Sequence, residues 1–110
     1  DAGDLVLKKL SHLLKIAARS TDMVARLGGE EFCIVLPETN LAHASNLAEK
    51  IRHDIENETF QAQQGNIEVK VSIGVAERHE EETIAKWLKR ADTVLYQAKR
   101  SGRNQVFCAK

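Results

Sequence analysis

The apolar positions divide the chain into seven elements, three helices and four strands. Leu7, Leu10, Leu14 and Ala17 recur at spacings of three and four, with Leu13 beside them, which predicts an amphipathic helix. Asp4 stands just ahead of Leu5 as its expected N-cap, and the helix ends before Ser20-Thr21-Asp22. Two short apolar runs come next, 23–27 and 32–36, with Gly28-Gly29-Glu30-Glu31 between them. Runs flanking a Gly-Gly pair predict a β-hairpin, because glycine reaches the positive φ angles of tight hairpin turns. The second run, Phe32-Cys33-Ile34-Val35-Leu36, has no polar alternation and reads as a strand buried on both faces. Pro37 stops it.

Residues 40–58 carry a second helical stripe, Ala44, Leu47, Ala48, Ile51 and Ile55, capped by Thr39 or Asn40. A polar loop is expected over 61–66. Ile67, Val69, Val71, Ile73 and Val75 then alternate with Glu68, Lys70, Ser72 and Gly74, the strongest strand signal in the chain. After a charged loop, 78–82, Ile84, Leu88, Ala91, Leu95 and Ala98 give a third helix at spacings of 4, 3, 4 and 3. Gly102 stands where a C-terminal stop is expected, and 105–108 reads as a last short strand.

Helix, hairpin, helix, strand, helix, strand is a ferredoxin-like α+β order without its first strand. That strand would lie mid-sheet, so the run 32–36 is expected to lack one neighbour. The chain starts three residues ahead of its first cap and without Met, which reads as a start inside a domain.

Composition narrows the class. At 110 residues the chain is one domain, 1–110, and 43% hydrophobic with 29% charged residues excludes a disordered or low-complexity chain. No apolar run approaches the roughly 18 residues of a membrane helix, and the first residues do not read as a charged-then-apolar signal peptide. Acidic and basic residues balance at 16 each, which argues against a nucleic-acid polymer as partner. Cys33 and Cys108 are too few for a disulfide scaffold or zinc site and read as reduced core thiols of a cytoplasmic protein. The balance conceals a gradient: net +2 over 1–29, −8 over 30–82 and +6 over 83–110. An acidic middle and a basic end suit a site holding metal and phosphate, although solvated helix faces give the same counts.

The candidate chemistry sits on the hairpin turn. Gly28 and Gly29 let a ligand approach the backbone closely, and Glu30 and Glu31 suit a hard cation that shares its coordination with phosphate oxygens. By itself the quartet reads first as a solvated turn.

The rest of the chain changes that balance, because it resembles the GGDEF family of diguanylate cyclase domains in the GGEEF form. Gly3-Asp4-Leu5 is similar to the end of the family's Gly-His-x-x-Gly-Asp stretch. Arg19-Ser20-Thr21-Asp22 matches its Arg-x-x-Asp motif, five residues before Gly28. Val71-Ser72-Ile73-Gly74-Val75-Ala76 matches a family strand, and 91–104 its last helix and the turn after it. The resemblance runs through all 110 residues. It implies a nucleotidyl-cyclase palm-type antiparallel sheet with flanking helices, here lacking the first strand and the helix after it.

It also implies a reaction: two GTP condense to cyclic di-GMP and two pyrophosphates, in a homodimer holding one GTP per domain. Glu30 then holds Mg²⁺ (or Mn²⁺), and Glu31 acts near the attacking 3′-hydroxyl or a second metal. Asp4 reads guanine donors that adenine lacks, besides serving as a cap. Gly28 and Gly29 border the nucleotide. Lys99 and Arg103, expected one turn apart on one helix face, bind phosphates. Arg19 and Asp22 form a product-binding inhibitory site, or else a local ion pair. An upstream sensory or receiver domain is implied, tethered in some members to a membrane.

The family's other metal-binding Asp and a second guanine-reading Asn are absent from these 110 residues, so the fragment is expected to be inactive alone. Two competing readings stand beside the cyclase. One is a degenerate domain serving as a GTP or cyclic di-GMP receptor or dimerisation module. The other is a palm nucleotidyltransferase of different specificity, such as an adenylyl cyclase.

Overall fold

A computed structural model describes residues 2–28, 31–63 and 65–109. The elements run α1 (Ala2–Ala17), β1 (Met23–Gly28), β2 (Glu31–Val35), α2 (Leu41–Glu56), β3 (Phe60–Ala62), β4 (Gly65–Ile67), β5 (Ile73–Val75), α3 (Ile84–Arg100) and β6 (Val106–Cys108). The α+β class and the order of its main elements are those expected from the sequence.

β1 and β2 form the expected antiparallel hairpin, Met23 opposite Val35 and Gly28 opposite Glu31. The register slips between Arg26 and Gly28, where β1 carries one residue more than β2. Such a bulge bends the strand that carries it and increases its twist, here at the end of β1 nearest the Gly-Gly pair. β5 and β6 pair in parallel, with α3 as the crossover between them.

Two segments depart from expectation. The loop predicted over 61–66 is instead part of a small hairpin, β3 with β4, anchored by Phe60 at 1% exposure. The long strand predicted over 67–75 exists only at its two ends, because Ile67 pairs back to Phe60 while Ile73 to Val75 pair with β6. Val69 and Val71 still pack on the core between them. Alternation fixed which side chains turn inward, but a strand also needs a partner backbone.

The core joins Leu10 and Leu14 of α1 to Ile51 and Ile55 of α2 over Phe60. α3 packs on β5 so closely that a β-carbon at Gly74 would stand 2.3 Å from the Ala91 carbonyl oxygen. Trp87 has a packing role: its indole Nε1 donates to the Ala76 carbonyl at 2.7 Å.

Among the described residues β2 pairs only with β1, and β5 only with β6. Between β2 and residues 71–76 lies an apolar trough of about 430 Å³, floored by residues such as Leu47, Ile51 and Leu95. Ile84 and Leu88, expected in the buried stripe of α3, border this trough and stay 67% and 41% exposed. The expected missing neighbour of 32–36 therefore has a structural counterpart. Among the described residues no helix is long and apolar enough to cross a membrane.

Candidate functional site

Asp4 lies inside α1, in its first turn, because the helix starts at Ala2 and not after Asp4. The expected N-cap role is thereby corrected. A carboxylate in the first turn still faces the positive end of the helix dipole. Asp4 begins a polar stripe, Asp4, Lys8, Ser11 and Lys15, at spacings of 4, 3 and 4. With Val24 of β1 and Phe32 of β2, this stripe lines a cavity of about 420 Å³. The fold thus brings Asp4 to the residue directly after Glu31 in sequence.

Lys8, Ser11 and Lys15 were not expected as site residues. The signal for them was present: they repeat at the period of the apolar stripe on the same helix, displaced around its axis. Two cations and a hydroxyl beside a carboxylate give a cavity of mixed charge, able to pair with both donors and anionic oxygens of one ligand.

Glu30 and Gly29 lie outside the described residues. Gly28 and Glu31 are described as paired backbone at the end of the hairpin, next to the bulge. Among the described residues no group of three His, Cys, Asp or Glu stands together to hold a metal. The donor set Glu30–Glu31 suits a hard cation that takes its remaining ligands from phosphate and water.

Lys99 sits in the last turn of α3. Arg103 does not share its helix face, which corrects the expectation of a pair one turn apart. The helix is capped at Ser101, Gly102 turns at φ +112°, and Arg103 lies beyond with φ +63°. The Arg103 N–H reaches back to the Ala98 carbonyl at 3.0 Å, closing a Schellman turn. Neither residue lines the Asp4 cavity.

Arg19 and Asp22 meet at the start of β1. The Arg19 Nε and Nη2 donate to Asp22 at 2.9–3.1 Å, and the Arg19 backbone N–H donates to Asp22 Oδ2 at 2.8 Å. Nη2 also reaches Thr39 Oγ1 at 2.8 Å and the Pro37 carbonyl at 3.4 Å. Thr39 is therefore an anchor for Arg19, and Asn40 alone caps α2 through His43 N–H at 2.9 Å. The hydrogen bond from Arg19 holds the Asp22 carboxyl below its ordinary range, and Asp22 in turn holds the guanidinium above its own. Cys33 and Cys108 are free and half-buried, and burial pushes the Cys33 thiol up.

Known proteins resemble the chain in both sequence and fold. The family model described as diguanylate cyclase, GGDEF domain, matches residues 1–105. Diguanylate cyclase A of Treponema denticola is 38% identical over 110 residues, 99% of this chain but 30% of that protein. The GGDEF domain of DgcB from Caulobacter crescentus, solved with c-di-GMP, superposes with a TM-score of 0.90 at 31% identity, covering 96% of this chain and 64% of that one. The active GGEEF domain of a diguanylate cyclase from Vibrio cholerae superposes with a TM-score of 0.83 at 34% identity, covering 100% of this chain and 70% of that one. The chain spans less than a third of the length of the Treponema relative.

Proposed function

The chain belongs to the GGDEF family of diguanylate cyclase domains, and we propose that in its full-length protein it condenses two GTP into cyclic di-GMP, releasing two pyrophosphates. In this reaction each ribose 3′-hydroxyl forms a bond to the α-phosphorus of the other nucleotide, pyrophosphate leaves, and the hydroxyl gives up its proton. Asp4 accepts from the guanine N1 and N2 donors. Glu31 acts at the attacking hydroxyl, the glycines at 28 and 29 admit the nucleotide, and Lys99 and Arg103 hold phosphates. Mg²⁺ or Mn²⁺, held at Glu30, supplies positive charge to the phosphates when bound.

The observation that supports this reading is the shared cavity: Asp4 lines the same 420 Å³ space as Phe32, the residue after Glu31. A base reader then shares its cavity with the strand that leads out of the phosphate-handling turn. A GGEEF sequence is also compatible with turnover, since the Vibrio cholerae relative with that motif is described as active.

The regulatory part of the proposal is product inhibition at Arg19 and Asp22. The remaining parts are a homodimer for catalysis, an upstream sensory or receiver domain, a cytoplasmic site of action, and a domain that extends N-terminal of residue 1.

The test is chromatographic detection of cyclic di-GMP from the full-length protein with GTP and Mg²⁺, run beside Asp4→Ala. The expected result is synthesis from GTP, with the preference for GTP over ATP eroded in the variant. A carboxylate left unpaired by the wrong base discriminates strongly. Nucleotide binding with no turnover would select the receptor reading. An unchanged GTP-to-ATP ratio in Asp4→Ala would remove the guanine role.

A further inference from the structure

Arg103 and Asn104 are consecutive residues with left-handed backbones, φ +63° and +49°. An asparagine tolerates that region, whereas an arginine rarely enters it. Something outside the turn therefore has to impose the conformation. On its N-terminal side the cause is the Schellman bond from Arg103 N–H to Ala98. On its C-terminal side the backbone is tied by Ile73 N–H to the Gln105 carbonyl at 2.9 Å, where β5 meets β6.

The third tie comes from a different element. The Asn104 side chain reaches α2 with both ends of its amide. Its Oδ1 accepts from Arg52 Nη1 at 3.0 Å, and its Nδ2 donates to Glu56 Oε2. Arg52 is itself held, by Glu56 at 3.6 Å and by Glu49, which accepts from Nε at 2.9 Å. The Arg52 side chain is only 14% exposed. An amide whose oxygen and nitrogen are both matched to oppositely charged partners has one orientation, so the clamp fixes the peptide next to Arg103 as well as its side chain.

We infer that Asn104, held by Arg52 and Glu56 of α2, is a positioning residue for Arg103 and through it sets the affinity for the nucleotide phosphates. The inference rests on the reading that Arg103 binds phosphate. None of the three clamp residues need touch the ligand. Their effect passes through the direction in which the left-handed backbone projects the Arg103 side chain, and α2 becomes part of the substrate site.

The test compares steady-state kinetics of the full-length protein with four variants: Arg103→Ala, Asn104→Gly, Arg52→Met and the double variant Arg103→Ala/Asn104→Gly. Glycine at 104 keeps the left-handed backbone accessible and removes only the clamp. Arg52→Met breaks the clamp from the α2 side and guards against a turn that fails to form. Arg103→Ala should raise KM for GTP about tenfold or more, the range expected for one charge-assisted contact. Asn104→Gly and Arg52→Met should each raise it about fivefold with kcat within about twofold, the signature of lost uniform binding. The double variant should match Arg103→Ala alone, since there is nothing left to position.

If Arg103→Ala raises KM while Asn104→Gly and Arg52→Met leave it within about twofold, the clamp does not position Arg103. Additive effects in the double variant would equally overturn the inference, because Asn104 would then act independently. If Arg103→Ala leaves KM unchanged, the phosphate reading of Arg103 fails, and the inference falls with it.

Discussion

Replacing Gly74 by alanine tests how the fold holds α3, which carries the proposed phosphate-binding residue Lys99. Gly74 lies in β5 under α3. A β-carbon there would stand 2.3 Å from the Ala91 carbonyl oxygen, 2.6 Å from the Leu95 nitrogen and 2.9 Å from the Leu95 β-carbon. Two of the three are helix backbone, so no rotamer change relieves them. Ordinary contact needs about 3.4 Å or more, so α3 has to retreat by about 1 Å. Overpacking of this kind costs about 1–3 kcal/mol, and a backbone obstacle puts it at the upper end. The retreat also strains the Trp87 bond to Ala76, worth about another 1 kcal/mol. The expected loss is about 3–4 kcal/mol out of a total of roughly 5–15. Urea unfolding followed by far-UV circular dichroism reads it as a lower midpoint with unchanged slope. Because α3 carries Lys99 and leads into the Arg103 turn, KM for GTP should rise in the same variant. A loss below about 0.5 kcal/mol, within the range of neutral surface changes, would show that α3 and β5 do not meet this closely.

The remaining expectations concern regulation, acid stability and the isolated chain. Arg19→Ala in the full-length protein should relieve product inhibition without lowering the initial rate; equal loss of both would place Arg19 in catalysis. The Asp22 carboxyl is held below its ordinary value of 3.8 by Arg19, so its contribution to stability is complete above pH 3.8 and is lost as pH falls through the depressed pKa. Asp22→Asn should therefore flatten the acid limb of the Tm profile below that pH, and an unchanged limb would show that the pair contributes nothing. The isolated 110 residues should make no cyclic di-GMP and should sediment as a self-associating or loosened species, because among the described residues the trough beside β2 leaves apolar walls and strand edges uncovered. A compact, active monomer would refute this.

What could be read from the sequence was periodicity. α2 and α3 lie where their stripes put them, Gly102 ends α3, and the Gly-Gly segment joins two paired strands. What could not be read was whatever depends on a distant partner. The alternation over 67–75 correctly marks Val69 and Val71 as inward-facing, yet among the described residues no strand pairs with 68–72. The same limit applies to Arg103. A spacing of four places two residues on one face only while the helix continues, and Gly102 ends it between them. Asp4 failed as a cap for a local reason, since α1 begins two residues earlier. Its placement beside Phe32 depends on the packing of α1 against the hairpin, which no local pattern encodes.

The geometry at Arg19 also constrains how a ligand could act at this proposed regulatory site. Arg19 and Asp22 sit at the open end of the β1–β2 hairpin, and Gly28 is at the other end, about 20 Å away along six residues of strand. A ligand seated on Arg19 and Asp22 is therefore separated from Gly28 by the whole of β1. The ion pair is presented unequally: the Arg19 side chain is 54% exposed, whereas that of Asp22 is fully covered. Both carboxylate oxygens already accept bonds from Arg19. A guanine that donates to Asp22 must first displace them, and Thr39 and Pro37 hold the guanidinium against that displacement. Apparent affinity is then reduced by the fraction of molecules in which the pair is open. A ligand that opens it by drawing the guanidinium away also breaks the Arg19 bonds to Thr39 and Pro37, which tie the chain entering β1 to the chain leaving β2. A two-stranded ribbon has little stability of its own, so the end of the hairpin that Arg19 closes is the end through which binding can be felt at the turn.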